Sequence, residues 1–436
     1  MKSETALSRY LQRHIEPGLP DAPCASARWR NALVIPAYRE APALLKTLRL
    51  LPRSDGRSLV ILVLNRPDSD SDPNANADLR DAARQLCASP TATADVRIQQ
   101  LNDYAELYVH DLEAARGPSA ASQGVGLARK VGCDIALRWM AQGGISSHWI
   151  YSSDADAQLP ADYFKRVASL RVQPAAALFP FRHIAGTDIR CDQATALYEL
   201  RLHHYVLGLA YAGSPYAYHT LGSCLAIQAD AYAQVRGFPR RAGAEDFYLL
   251  NKLAKVGPVV QLPGQCIQLL SRPSRRVPFG TGPAVAAIAG ADAPADLKLF
   301  YHPACFVALR AVLHAIEQQC QAPAAVLEDQ LAAQGLAPDL ARASTRALNA
   351  MALPAAIAHC HRQGKSQAQF MRQFHQWFDA FRSLKFVHAI RDAGWPEQSL
   401  ASLQDTEPNL WPHPGTADEA EQALETRLAR HLGWTS

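Results

Sequence analysis

The chain has 436 residues, 48% of them apolar and 19% charged, with a net charge of +4. That length predicts a large α/β domain with an appendage, or two to three domains, and the composition excludes a disordered chain. So small a net charge for this length implies no general binding to polyanions, and no nucleic-acid partner is expected. The nine cysteines include no Cys-x-x-Cys pair, which argues against a disulfide framework or a zinc site and predicts a reducing, cytoplasmic location.

Met1–Pro20 is polar and of mixed charge, so no secretory leader is expected there. Residues 1–28 are predicted as a lead-in, a short helix followed by a Pro/Ala-rich loop. Asn31–Pro36 predicts a first buried strand and Glu40–Leu51, with leucines at helical spacing, a helix. The unbroken apolar run Leu59–Leu64 predicts a central parallel strand covered on both faces. A polar loop from Asn65 to Asn74, a helix to about Cys87 and a strand over Val96–Leu101 follow. Gly124–Met140 predicts a long helix, Trp149–Ser152 a strand and Ala161–Leu170 a helix. Strands are then expected at Ala176–Pro180, Leu221–Gln228 and Val259–Leu262, with helices at Gln193–Tyr211 and Glu245–Val256. This alternation predicts an α/β class with a mostly parallel sheet.

Leu202–Ala229 contains no Asp, Glu, Lys or Arg. Its histidines, its proline and its glycines suit buried core better than a spanning helix, so no transmembrane segment is expected. Beyond about residue 290 helical periodicity takes over: Leu297–Glu317, Ala324–Gln334, Leu340–His361, Ala368–Ala393 and Ala417–Leu432. The aromatic stripe Phe370, Phe374, Trp377, Phe378, Phe381 and Phe386 is expected as core. The adjacent His359, Cys360 and His361 cannot face one cation together on a helix.

Several common sites are excluded. The first strand ends in Pro36-Ala37-Tyr38 rather than glycines, and Arg129 stands where a third glycine would follow Gly124 and Gly126. No Walker-type loop and no Gly-x-Ser-x-Gly elbow is present. An ordered set of other features remains. Pro36, Ala37, Tyr38 and Glu40 lie at the carboxyl end of the first strand, where open parallel sheets bind ligands. Glu40 suits a ribose or base edge. Arg129 and Lys130, early in a helix, invite an anion such as a diphosphate.

Asp154 and Asp156, two apart in an extended segment, would share a face and attract a hard divalent cation, Mg2+ or Mn2+. Taken alone, an acidic turn is ordinary. Gly222-Ser223 allows close approach of a backbone or sugar. Glu245 and Asp246 open a helix, which by itself also suits a helix start. Ser271–Gly282 carries three arginines in a loop suited to phosphate or an acidic sugar, and to folding over a donor as a lid.

In this order the residues resemble the GT-A glycosyltransferases of family 2, over about Ala32–Gly282. The resemblance rests on Ile35–Glu40, on Asp154-Ala155-Asp156 as a DxD motif and on Glu245-Asp246 as the acceptor-side acidic pair, with Gly237-Phe238 and Gly222-Ser223 alongside. It implies a GT-A type domain over 29–285, and the helical periodicity beyond it predicts an all-helical region over 286–436. The resemblance further implies inverting transfer of a sugar from a nucleotide diphosphate sugar to a hydroxyl acceptor, which is a carbohydrate, a lipid-linked molecule or a small molecule. A lipid acceptor would bring the protein to a membrane surface.

The roles implied are metal binding by Asp156 with Asp154, donor binding by Pro36, Ala37, Tyr38, Glu40, Asn65, Arg129, Lys130 and Asp154, and catalysis by Asp246 with Glu245. Asn65 stands where many members carry Asp, leaving uridine or guanosine open. Gln265–Arg276 lacks the late histidine that some members use as a metal ligand. Two alternatives remain: a nucleotidyltransferase that activates a sugar phosphate, and a non-catalytic nucleotide-binding protein.

Overall fold

The computed structural model of the protein describes residues 5–23, 28–93, 96–274, 280–320, 326–403 and 406. The helix expected at Ala417–Leu432 lies outside them. Among the described residues the chain divides into two compact units. The first runs to Asp192 and resumes over Thr220–Ala286; the second comprises Gln193–His219 and the residues from Ala287 onward. Gln193–His219, assigned from sequence to the α/β part, thus clusters with the C-terminal helices.

The first unit opens with α1 (Ala6–Arg13), whose Thr5 side chain caps the Ser8 N–H. Then come β1 (Asn31–Ala37), α2 (Leu44–Leu48), β2 (Ser58–Leu64), α3 (Ala77–Arg84), β3 (Ile98–Asn102), β4 (Ala105–Asp111), α4 (Leu112–Arg116), α5 (Gly124–Ala141) and β5 (Trp149–Ser152). They are followed by β6 (Ala157–Gln158), α6 (Tyr163–Ala168), β7 (Ala176–Leu178), β8 (Phe181–Ile184) and the start of α7 (Ile189–Tyr211). After the excursion come β9 (Leu225–Gln228), α8 (Ala229–Gln234), α9 (Glu245–Leu253), β10 (Val259–Gln261), β11 (Ile267–Leu270) and α10 (Thr281–Ala289).

Eight strands form one sheet in the order β10-β7-β9-β5-β1-β2-β4-β3, and β6-β11-β8 form a small second sheet. The pairs β1–β2, β1–β5, β2–β4 and β7–β10 are parallel. β9 runs antiparallel to both β5 and β7, and β3 is an antiparallel edge. The mostly parallel sheet expected from the sequence is therefore present. β1 and β2 are buried at every position, as their unbroken apolar sequences require of strands covered on both faces. The carboxyl ends of β1, β2, β4 and β5 all leave the sheet on one side. Because β9 is antiparallel and Leu225 pairs with Ser152, the segment before β9 arrives at that same edge.

The close seating of α5 on this sheet depends on a glycine. A Cβ at Gly132 would lie 2.4 Å from Val34 Cγ1 and 3.0 Å from Val63 Cγ2. Gly132→Ala is expected to lower stability by about 1–3 kcal/mol in urea denaturation, because the strands cannot move away from the helix. Partial recovery by adding Val34→Ala would locate the clash.

The second unit is helical: the end of α7, then α11 (Pro303–Gln319), α12 (Leu327–Ala333), α13 (Pro338–Ala350), α14 (Leu353–Gln363), α15 (Gln367–Trp377) and α16 (Ala380–Asp392). Two helices expected as continuous are broken. Ala352 adopts a positive φ of 63° between α13 and α14, and Asp379 caps α16 where the Ala368–Ala393 pattern had no stop signal. The aromatic stripe is core, with Phe370, Phe374, Phe378 and Phe386 at most 1% exposed. His359 is exposed while Cys360 is buried, so those neighbours face different ways. Of the uncharged stretch, His203, His204 and His219 are buried. Among the described residues no helix is long and apolar enough to cross a membrane.

Candidate functional site

The carboxyl edge of the large sheet gathers most of the predicted residues of the first unit around two arginines. Arg129, in the second turn of α5, is 3% exposed. Its Nη2 donates to Asp154 Oδ1 (2.5 Å), its Nε to Glu245 Oε1 (2.9 Å), and its Nη1 to Ser152 Oγ (2.9 Å) and the Ser153 carbonyl (3.2 Å). Burial opposes the Arg129 charge, but Asp154, Glu245 and Asp246 overcome it and hold its pKa above the usual arginine value. The anion that an early-helix cation requires is thus supplied by the protein. Gly222 makes room for it, since a Cβ there would lie 2.5 Å from Arg129 Nη2. What approaches this glycine closely is a guanidinium.

Arg272, just past β11, is the second hub. Its Nε donates to Asp156 Oδ2 (2.8 Å), while Nη2 and Nη1 grip Glu40 Oε1 and Oε2 at 2.8 and 3.2 Å. The rest of that loop, Arg275–Phe279, lies outside the described residues. Asp154 and Asp156 do not sit in an extended segment. Asp154 opens a tight turn between β5 and β6 and Asp156 lies within it; the turn is closed by the Ala157 N–H on the Asp154 carbonyl, and each aspartate takes a different arginine. They nevertheless feel each other. Burial first, then the Asp154 charge, pushes the Asp156 pKa up, with Arg272 pulling against both.

Asp246 is partly buried at the first turn of α9. Burial and then the neighbouring Glu245 charge raise its pKa to about 7, while Arg129 and the N–H groups of Phe247 and Gly222 oppose the rise. Strained backbone precedes two of the acidic residues: Arg39 (φ 53°) comes before Glu40, and Ala244 (φ 54°) before Glu245. Non-glycine residues adopt this conformation at a cost, and such residues cluster where side-chain placement matters.

The other predicted residues are placed as follows. Pro36 and Ala37 are buried inside β1 and shape the strand exit. Tyr38 emerges beyond them and donates to Asp70 Oδ2 at 2.6 Å; Arg39 pairs with the same carboxylate at 2.8 Å. Asn65 is buried after β2; its N–H bonds the Ala37 carbonyl, and its own carbonyl accepts from Asn76 Nδ2. Lys130 goes elsewhere. Its ammonium contacts Tyr10 Oη (2.6 Å), Asp134 Oδ2 (3.0 Å) and the His14 carbonyl (3.2 Å), tying α1 to α5. Consecutive helix residues diverge by about 100°, which separates Lys130 from Arg129. The helix start expected to receive a diphosphate is also occupied, because the Gly126 N–H donates to the Arg241 carbonyl at 2.9 Å.

Ser152, Asp70, Asn76 and the pairing role of Arg272 escaped the sequence reading. For Arg272 the signal was the loop of three arginines, of which it is the first.

The arrangement suits an implied divalent cation. Arg129 pairs with Asp154 and Glu245, and Arg272 with Glu40 and Asp156, so acidic groups are dense at this edge, with Asp246 beside them. Asp154 and Asp156 each offer hard oxygen donors, and each meets its arginine through one oxygen. A cation here would have two protein ligands, since no cluster of three or more His, Cys, Asp or Glu suited to a metal exists among the described residues. Phosphate and water would complete its shell.

No family model and no curated protein matches the chain. Among solved structures it is similar to crystal structures of residues 1–349 of TarS from S. aureus. One of these is in complex with UDP-GlcNAc and another with UDP; their TM-scores are 0.38 and 0.37. In both comparisons sequence identity is 14%, covering 79% of this chain and 89% of the other.

Proposed function

We propose that the protein is a metal-dependent, inverting glycosyltransferase that moves a sugar from a nucleotide diphosphate sugar to a hydroxyl of a carbohydrate, lipid-linked or small-molecule acceptor. The observation that carries this reading is Asp246. It is a carboxyl group poised near neutral pH at the same sheet edge as Glu40, Asp154 and Asp156. A general base is most effective when its pKa lies near the working pH.

In this reading Asp246 accepts the acceptor hydroxyl proton as that oxygen bonds the anomeric carbon. The bond from the anomeric carbon to the diphosphate breaks on the opposite face, which inverts the configuration. The Gly222 and Phe247 N–H groups steady the Asp246 carboxylate, and Arg129 keeps its proton affinity from rising further. Glu40 holds the nucleoside side of the donor, with Tyr38 and Asn65 beside it. Asp154 and Asp156 would hold Mn2+ or Mg2+, which supplies positive charge to the leaving diphosphate.

The reading is tested by incubating the protein and Mn2+ with UDP- and GDP-sugars and a panel of hydroxyl acceptors. Release of a nucleoside diphosphate and an inverted glycoside is expected. Release of pyrophosphate from a nucleoside triphosphate and a sugar phosphate would instead identify a nucleotidyltransferase. Nucleotide binding without turnover would favour the non-catalytic alternative.

A further inference from the structure

Arg272 and Arg129 both neutralise carboxylates at the sheet edge, but they are held very differently. Arg129 projects from a long helix and is 4% exposed at its side chain. Arg272 stands on the segment leaving β11, and its side chain is 29% exposed. The chain is anchored one residue earlier, where the buried Ser271 donates its N–H to the Ile184 carbonyl at 2.9 Å. From there the guanidinium reaches Glu40 at the exit of β1 and Asp156 beyond β5, so one side chain closes the two strand ends that the proposed reading gives to nucleoside and metal.

A guanidinium in this position and a divalent cation compete for the same Asp156 charge. An incoming diphosphate brings further negative charge to an edge where Glu40, Asp154 and Asp156 already stand together. Entry of a divalent cation together with the diphosphate offsets that repulsion. Phosphate accepts the same two-pronged guanidinium contact as the Glu40 carboxylate. Arg272 thus has somewhere favourable to go once it is displaced.

We propose that Arg272 is the resident cation of the donor pocket: a divalent ion replaces it at Asp156, and its guanidinium passes from Glu40 and Asp156 to the donor diphosphate. This rests on the donor-pocket reading above. It makes Arg272 a positioning residue that keeps Glu40 and Asp156 paired in the empty pocket and admits the diphosphate and cation together.

The test needs neither donor sugar nor acceptor. Mn2+ alone, then Mn2+ with inorganic pyrophosphate, is titrated into wild-type protein and Arg272→Ala, with free Mn2+ followed by electron paramagnetic resonance. Removing one charge-assisted contact predicts opposite changes of about tenfold: tighter Mn2+ binding in Arg272→Ala without pyrophosphate, and weaker pyrophosphate binding with Mn2+ present. Asp156→Ala added to Arg272→Ala should abolish the extra Mn2+ affinity. General damage to the fold would weaken both ligands together, so that result overturns the proposal, as does unchanged Mn2+ affinity. Pyrophosphate binding that ignores Mn2+ in the wild type and vanishes in Arg272→Ala also overturns it, because Arg272 would then replace the metal. If Arg272→Ala fails to fold, Arg272→Lys carries the test. It keeps the charge but loses the fork, so Mn2+ binding should stay near wild type while pyrophosphate binding weakens; no weakening overturns the proposal. Success here together with failure of sugar transfer would leave the exchange standing and reject the glycosyltransferase reading.

Discussion

Asp246→Asn is expected to lower kcat by about 10²–10⁴-fold, the usual contribution of a positioned general base, while leaving donor affinity within about twofold. Asparagine preserves the shape and can still accept from the Gly222 and Phe247 N–H groups that touch this side chain. It cannot take a proton. In the wild type, activity should rise with pH through about 7 as Asp246 ionises, and this limb should vanish from the residual activity of the variant.

Stability should move the other way. The folded pKa lies above the ordinary carboxylate value, so the fold favours the protonated form. That advantage is present below pH ~4 and is lost as pH rises through about 7. The variant should therefore be more stable than the wild type at pH 8, by on the order of 2 kcal/mol, and indistinguishable from it in acid. Parallel denaturant titrations at the two pH values check this. Equal loss of donor binding and turnover would instead mark Asp246 as structural.

Arg129→Met should produce the largest loss of stability at the site, about 3–5 kcal/mol, the usual result of leaving one member of a buried ion pair alone. Glu245, 4% exposed, would lose the 2.9 Å contact that balances its charge. Catalysis should change in a specific way as well. Arg129 lowers the proton affinity of Asp246, so its removal should move the acidic limb of the pH profile above 7. Arg129→Lys should recover only part of the stability, because an ammonium cannot span Asp154, Glu245, Ser152 and the Ser153 carbonyl as the planar fork does. A profile that stays in place while stability falls would separate Arg129 from the reacting end of the pocket.

The parallel core was legible because its strands are unbroken apolar runs. Leu59–Leu64 needed no partner to announce burial, and Trp149–Ser152 appears with the expected bounds. β4 was missed because Glu106 and His110 make its sequence look exposed. Glu106 is 1% exposed and is satisfied by Trp29, Arg28, Arg57 and Ser89, partners that its own neighbourhood does not reveal.

The same limit applies at the site. Local chemistry pointed to Glu40, Asp154, Asp156 and Asp246, yet the pairing of Arg272 with Glu40 spans 232 positions and follows only from the strand order. Arg129 and Lys130, grouped by adjacency, separate because a helix turns between them. Arg129 faces the strand ends and Lys130 meets Asp134 under α1.

The most direct measurement is a thermal-shift titration of UDP and GDP, with and without Mn2+, on wild-type protein and Asp156→Ala. Selective stabilisation by one nucleotide, dependent on Mn2+ and absent in Asp156→Ala, is the predicted result. No stabilisation by either nucleotide, or an equal shift in the variant, would contradict a metal-assisted nucleotide pocket at this sheet edge.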